Sequence, residues 1–201
     1  MLMRIAVLVS GSGTNLQALL DAEARGEIPH GKISLVLSSR SEAFALERAK
    51  NHGVPTLIVK KRDFSTQDDY DAAIIKALEG AKIDFIVLAG FMQILGPKMI
   101  RRYPRRIINV HPSLIPAFCG PGFYGLKVHE EALAYGVKVS GATVHYVSEI
   151  VDGGEIISQK AIDILPDDTA ESLQKRIMEK AEWILLPRAC EQACQELCKG
   201  E

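Results

Sequence analysis

Short apolar runs rich in β-branched residues alternate with amphipathic stretches along the first half of the chain. Ile5–Val9 precedes Asn15–Ala24, Ile33–Ser38 precedes Glu42–Asn51, Thr56–Val59 precedes Gln67–Glu79, and Ile83–Leu88 precedes Pro97–Tyr103. An apolar run without polar alternation reads as a strand buried on both faces, and the amphipathic segment after it as a covering helix. The repetition predicts βαβ units on a parallel sheet. Ile107–Val110 reads as a further strand, and there the rhythm changes. Ala142–Val147 and Ile156–Ile162 read as strands joined through the turn-like Asp152-Gly153-Gly154, which predicts an antiparallel extension. A long helical pattern, Ala170 to Leu197, opens on the capping pair Asp168-Thr169, and Pro187 is expected to kink or divide it. The expected class is α/β: a single open, mostly parallel, doubly wound Rossmann-like sheet with antiparallel strands near the C-terminal end. Ligands of such sheets bind along the carboxyl ends of the strands. No repeat, low-complexity tract or linker interrupts residues 1–201, so one domain is expected.

Composition narrows the partners. Apolar residues make up 47% and charged residues 24%, as in ordinary globular proteins. Twenty-four basic against twenty-five acidic side chains leave a net charge of −1, which argues against a nucleic-acid partner. The longest apolar run, Ile86–Met92, is far below the ~18 residues of a membrane span. Ile5–Val9 is too short for an export signal and no small-residue cleavage site follows, so a cytoplasmic enzyme or binding protein is expected. Cys190, Cys194 and Cys198 recur at helical spacing without a matching Cys or His pair, and read as small helix-face residues rather than a metal site. The basic run Arg101–Arg106 reads as a solvated helix end, His30 and His52 as solvated, His129 as a positioned loop residue and His145 as a hydrogen-bonded structural histidine.

Two segments carry candidate chemistry. Ser10-Gly11-Ser12-Gly13-Thr14-Asn15 follows the first strand and opens the first helix. Its glycines permit close approach, while helix-terminal amides and the Ser12 and Thr14 hydroxyls suit a phosphate. It departs from the dinucleotide fingerprint at Leu16 and at Arg40, and from a P-loop in lacking Gly-Lys-Ser/Thr. The alternative is a tight strand-to-helix turn with no ligand. Asn109 and His111 stand two apart at the end of an apolar strand and so leave the same face. An amide donor beside a titratable imidazole suits a carbonyl that becomes an oxyanion. A capped, hydrogen-bonded turn is the other reading. Asp152, on a glycine-flanked turn, is a candidate partner that would raise the imidazole's pKa, or else part of a polar hairpin loop.

In combination, the motifs resemble the folate-dependent glycinamide ribonucleotide formyltransferases of purine biosynthesis. The resemblance runs through Val9–Gln17, Leu88–Met92, Asn109–Leu114, Gly141–His145 and Asp152–Gly154 and covers essentially the whole chain. It implies transfer of the formyl group of 10-formyltetrahydrofolate, as co-substrate, to the amine of phosphoribosylglycinamide, without a metal. By the same resemblance, Asn109 would polarise the formyl oxygen, His111 would donate a proton, and Asp152 would tune His111 and organise water. Gly13, Thr14 and Asn15 would hold the phosphate, and Glu182 would contact the ribose. Gln67, Met92, Gln93, Ile94 and Leu95, with Asn109 and the loop Ser148, Glu149, Ile150, Val151 and Asp152, would hold the folate.

Gln67 and Gln93 stand where the family commonly has arginines, so anion contacts weaken unless Lys60, Lys61 or Arg62 compensates. The Ala117–Gly125 loop, carrying Phe118, Cys119, Phe123 and Tyr124, is longer than in shorter family members and reads as a mobile lid over the site, the alternative being a plain surface loop. A 10-formyltetrahydrofolate hydrolase is expected to carry an added amino-terminal domain, for which a first strand near residue 4 leaves no room, and a methionyl-tRNA formyltransferase an added carboxyl-terminal domain and an overall basic charge. A non-catalytic nucleotide-phosphate-binding protein would need only Gly11–Asn15. A monomer or a homodimer is expected.

Overall fold

In the computed structural model, which describes residues 2–200, seven strands form one sheet. The strands are β1 (Met3–Val9), β2 (Gly31–Ser38), β3 (Thr56–Ile58), β4 (Phe85–Leu88), β5 (Ile107–His111), β6 (Val139–Tyr146) and β7 (Ile156–Asp163). Their order is β3-β2-β1-β4-β5-β6-β7, with β1 to β5 parallel and β6 and β7 antiparallel to their neighbours. The expected sheet is therefore the observed one. The order reverses between β1 and β4, the switch point where open α/β sheets hold ligands.

The unbroken apolar character of the central strands follows from burial on both faces. Along β1, Ile5, Val7 and Val9 enter one core and Ala6 and Leu8 the other; Phe85 and Val87 part from Ile86 and Leu88 in the same way along β4. Each fully buried side chain of this size contributes roughly 1.5–3 kcal/mol relative to exposure. The first core is covered by α1 (Thr14–Ala24), α2 (Ala45–Asn51), α6 (Ala170–Ile177) and α7 (Trp183–Lys199). The second is covered by α3 (Gln67–Gly80) and α4 (Pro97–Arg102). Cys190 and Cys194 are fully buried in the first core, on the face of α7 turned to the sheet.

The expected break falls upstream of Pro187 rather than at it: the helix widens into a π-turn over Met178–Glu182, separating α6 from α7. The chain then continues through Pro187 as α-helix. Thr169 caps α6 reciprocally with Ser172. α2 begins at Ala45 rather than Glu42, because Ala45 N–H donates to Gly11 O and Arg48 Nε donates to Ser12 O, tying that helix to the glycine loop. His129 lies on α5 (Leu126–Tyr135), not in a loop.

The link between β6 and β7 is held against the end of β6 by Gly154, where a Cβ would stand 1.7 Å from the Tyr146 carbonyl oxygen. Gly154→Ala must displace backbone and is expected to cost about 1–3 kcal/mol. Because it also pushes the Asp152 turn outward, activity should fall further than stability does. Thermal unfolding combined with a turnover assay checks both, and an unaltered melting temperature would show that the turn is not confined.

Candidate active site

The carboxyl ends of β1, β4 and β5 open into one cavity of about 930 Å³. Asn109 and His111 project into it from the last turn of β5, and the antiparallel partner β6 sets His145 directly opposite Asn109. The chain leaving β6 then brings Asp152 back beside them. Asp152 Oδ2 lies 3.6 Å from His111 Nδ1 and Oδ1 lies 3.6 Å from His145 Nε2, and Oδ2 accepts the Gly120 amide at 2.9 Å. Asp152 itself adopts φ 53°, a left-handed backbone suited to a tight turn.

Hydrogen bonds settle the tautomers. His145 Nδ1 donates to the Tyr146 carbonyl at 2.9 Å, leaving Nε2 to accept from Asn109 Nδ2 at 3.2 Å. One amide proton of Asn109 is thereby fixed and the second is free for a ligand. His111 Nε2 donates to the Phe118 carbonyl at 2.9 Å, so Nδ1 faces the carboxylate and an imidazolium would be held on both sides. Burial opposes this. It lowers the His111 pKa from its ordinary value, with Asp152 and the Phe118 carbonyl pulling the other way. The expectation that Asp152 raises His111 thus describes its contribution but not the net, because desolvation is larger. Burial also pushes the Asp152 carboxyl up, yet His145 when its Nε2 carries a proton, His111 and the Gly120 amide together hold it below its ordinary value.

At the other end of the cavity, Gly13 precedes α1 with φ 73°, and no side chain caps the helix. A Cβ at Gly13 would stand 2.6 Å from that of Ala45, so the loop requires glycine there. The first-turn amides lack intrahelical acceptors. Asn15 Nδ2 donates to Glu182 Oε2 at 2.6 Å while Asn15 Oδ1 is buried without a partner. Glu182 reaches this position from the π-turn; its burial raises the carboxyl pKa, opposed by the Asn15 amide. Gly13, Thr14, Asn15 and Glu182 line the cavity together.

A third wall consists of Met92, Gln93, Ile94 and Leu95 facing the loop Ser148, Glu149, Ile150, Val151 and Asp152. Ser10 Oγ accepts the Met92 amide at 2.8 Å, and the buried Asp71 accepts the Gly96 and Met99 amides, anchoring both ends of the segment. Gln67 stands apart from the cavity wall: its amide donates to Asp71 Oδ1 and to the Ile94 carbonyl from behind. Of the two glutamines expected at the folate, Gln93 lines the cavity and Gln67 braces its wall from behind.

Two histidines and the main-chain role of one loop were not read as parts of the site from sequence. His145 belongs to it through cross-strand pairing with Asn109, which intrastrand alternation alone does not reveal. His129 is fully buried, lines the cavity, and has both ring nitrogens without partners; its spacing from His111 carries no local signal. The Ala117–Gly125 loop acts through its backbone, Phe118 O on His111 and Gly120 N–H on Asp152. Phe118 stacks edge-on against Phe123 and Tyr135, so the loop is folded over the site by its own aromatic contacts.

A sheet of this order, with an amide, an imidazole and a carboxylate converging at its switch point, defines a group-transferring α/β enzyme. The chain belongs to the formyl transferase family, whose model matches residues 3–190. The trifunctional purine biosynthetic protein adenosine-3 of Drosophila melanogaster is 45% identical over 189 residues, 92% of this chain, which spans 13% of that relative's length. The phosphoribosylglycinamide formyltransferase of Haemophilus influenzae is 41% identical over 88% of this chain and 81% of its own. Among solved structures, glycinamide ribonucleotide transformylase 1 from Symbiobacterium toebii superposes with a TM-score of 0.91 at 41% identity, covering 97% of this chain and 89% of that one. The phosphoribosylglycinamide formyltransferase of Bacillus halodurans superposes with a TM-score of 0.88 at 36% identity, covering 98% and 97%.

Two titrations test the electrostatics. Asp152→Asn removes the charge that favours the imidazolium, so the His111 titration, followed by NMR and as the acid limb of the pH–rate profile, should move to lower pH. An unmoved titration would mean that the two groups do not communicate. Burial, aided by His111, lowers His129 to about 4. The unfolded chain, with an ordinary histidine near ~6.5, binds that proton more readily, so stability is full above ~6.5 and falls as pH drops towards the folded value. Urea unfolding across this window should show a shallower acid loss in His129→Gln; an identical slope would remove His129 as its source.

Proposed function

We propose that the chain transfers the formyl group of 10-formyltetrahydrofolate to the glycinamide amine of 5'-phosphoribosylglycinamide. The observation that carries this reading is the convergence of Asn109, His111 and Asp152 at one end of a cavity whose other end is the uncapped α1 terminus beside Glu182. Relatives named as phosphoribosylglycinamide formyltransferase or glycinamide ribonucleotide transformylase, at 36–41% identity, support the same reaction class.

In this reading the phosphate lies on Gly13, Thr14 and Asn15, Glu182 accepts from the ribose, and the pteridine lies between Met92–Leu95 and Ser148–Asp152. The amine attacks the formyl carbon, forming a C–N bond as the carbonyl oxygen becomes an oxyanion. Asn109 donates its free amide proton to that oxygen, held in place by His145 Nε2. His111 supplies the second stabilising proton once its Nε2–H exchanges the Phe118 carbonyl for the substrate, and the Asp152 charge supports the imidazolium. The amine proton is passed on and one proton reaches the departing folate nitrogen as its bond to the formyl carbon breaks. The net result is one proton moved and none consumed. The same reading makes residues 1–201 one cytoplasmic formyltransferase unit acting on small molecules, as a monomer or a homodimer. Among the described residues no helix is long and apolar enough to cross a membrane.

Formyl transfer measured with and without the ribonucleotide tests the reaction. Folate turnover indifferent to the ribonucleotide would instead indicate a hydrolase, and no turnover a binding protein. His111→Ala should lower turnover at least ~100-fold in a folded protein, and Asn109→Ala about 10²–10³-fold. Thr14→Glu should raise KM for the ribonucleotide by like-charge repulsion; an unaffected KM would place the phosphate elsewhere.

A further inference from the structure

Helix α2 holds the glycine loop from behind through two of the loop's own carbonyls. Ala45 N–H donates to the Gly11 carbonyl at 3.1 Å, and Arg48 Nε donates to the Ser12 carbonyl at 2.9 Å. In a planar trans peptide the carbonyl and the N–H that follows it point in opposite directions. Carbonyls pinned towards α2 therefore turn the Ser12 and Gly13 amides to the other side. That side is the cavity, lined by Gly11, Ser12 and Gly13 but by neither Ala45 nor Arg48. Among the described residues neither amide donates to any group of the protein. Successive free main-chain amides of this kind form an anion-binding concavity.

Arg48 is itself fixed. Its NH1 donates to Gln17 Oε1 at 3.1 Å, Gln17 Nε2 donates in turn to Asp21, and the Phe44 ring centroid lies 5.1 Å from the guanidinium carbon. A Cβ at Gly13 would stand 3.4 Å from Arg48 Cδ, so the side chain packs against the turn it holds. One planar guanidinium thus ties the Ser12 carbonyl to the first helix. We propose that Arg48 is a positioning residue for the ribonucleotide phosphate, acting through the Ser12–Gly13 peptide without touching the ligand, an inference that rests on the phosphate reading above. Without Arg48 that peptide is free to rotate, and the Gly13 amide turns away from the phosphate. The phosphate is remote from the reacting carbon, so the loss falls on KM for the ribonucleotide and not on kcat. A lysine, with a single point-charge donor, cannot hold Ser12 and Gln17 together as the fork does.

The experiment measures kcat and both KM values in the wild type, Arg48→Ala and Arg48→Lys, at low and high salt. Arg48→Ala should raise KM for the ribonucleotide about tenfold, equivalent to ~1.4 kcal/mol. KM for the folate should not move, kcat should stay within about twofold, and Arg48→Lys should fall between. The rise should persist at high salt, because it comes from a turned peptide and not from a distant charge. It should vanish for the glycinamide riboside, which lacks the phosphate. An unchanged ribonucleotide KM in Arg48→Ala, shown to be folded by circular dichroism, would overturn the proposal. So would equal rises in both KM values, a rise abolished by salt, or a lysine variant indistinguishable from the wild type. If Arg48→Ala does not fold, the same comparison in Arg48→Lys decides. A wild-type protein with equal KM for riboside and ribonucleotide would instead sink the phosphate reading. NMR with inorganic phosphate then still tests Arg48. Ser12 and Gly13 amide signals that move in the wild type, and need about tenfold more phosphate in Arg48→Ala, uphold its role; an equal response in both proteins, or none in either, refutes it.

Discussion

The antiparallel pairing of β6 to β5 is the constraint on which the site depends. A sixth parallel strand would present its carboxyl end beside Asn109 and His111 and send the chain onward into another helix. Running the opposite way, β6 ends at the far edge and needs only a short return to β7, yet its register sets His145 against Asn109. The return loop then places Asp152 within 3.6 Å of both histidines. The change of strand direction thus converts a binding crevice into a cluster where an amide, two imidazoles and a carboxylate share one small volume.

Much of this was legible in the sequence because it is encoded in local patterns. Uninterrupted apolar runs such as Ile5–Val9 require burial on both faces, and the turn-like Asp152-Gly153-Gly154 between two strand-like runs marks the antiparallel part. Asn109 and His111 were readable as a pair because two positions on a strand share a face. What stayed hidden depends on distance in sequence. His145 meets Asn109 only through strand register, and His129 reaches the cavity only because α5 folds back over the sheet. The contribution of Phe118 and Gly120 is made by main-chain atoms, which no residue pattern reports.

The helix break shows the same limit in another form. Proline drew attention to position 187, whereas the helix departs from α geometry over Met178–Glu182, at least five residues earlier. Glu182, the last residue of that π-turn, stands in the cavity beside Asn15.

The grip of the Ala117–Gly125 loop on His111 and Asp152 has a consequence for how the protein tolerates change. A carbonyl and an amide are present at nearly every position whatever the side chain, so this grip does not register most substitutions. It is sensitive to spacing, because one residue more or less between Phe118 and Gly120 would move one of the two contacts out of reach. Variation among such enzymes should therefore be freer at those loop side chains that neither pack, as Phe118 and Phe123 do, nor sit at a positive-φ glycine, and most restricted in the length between those two points.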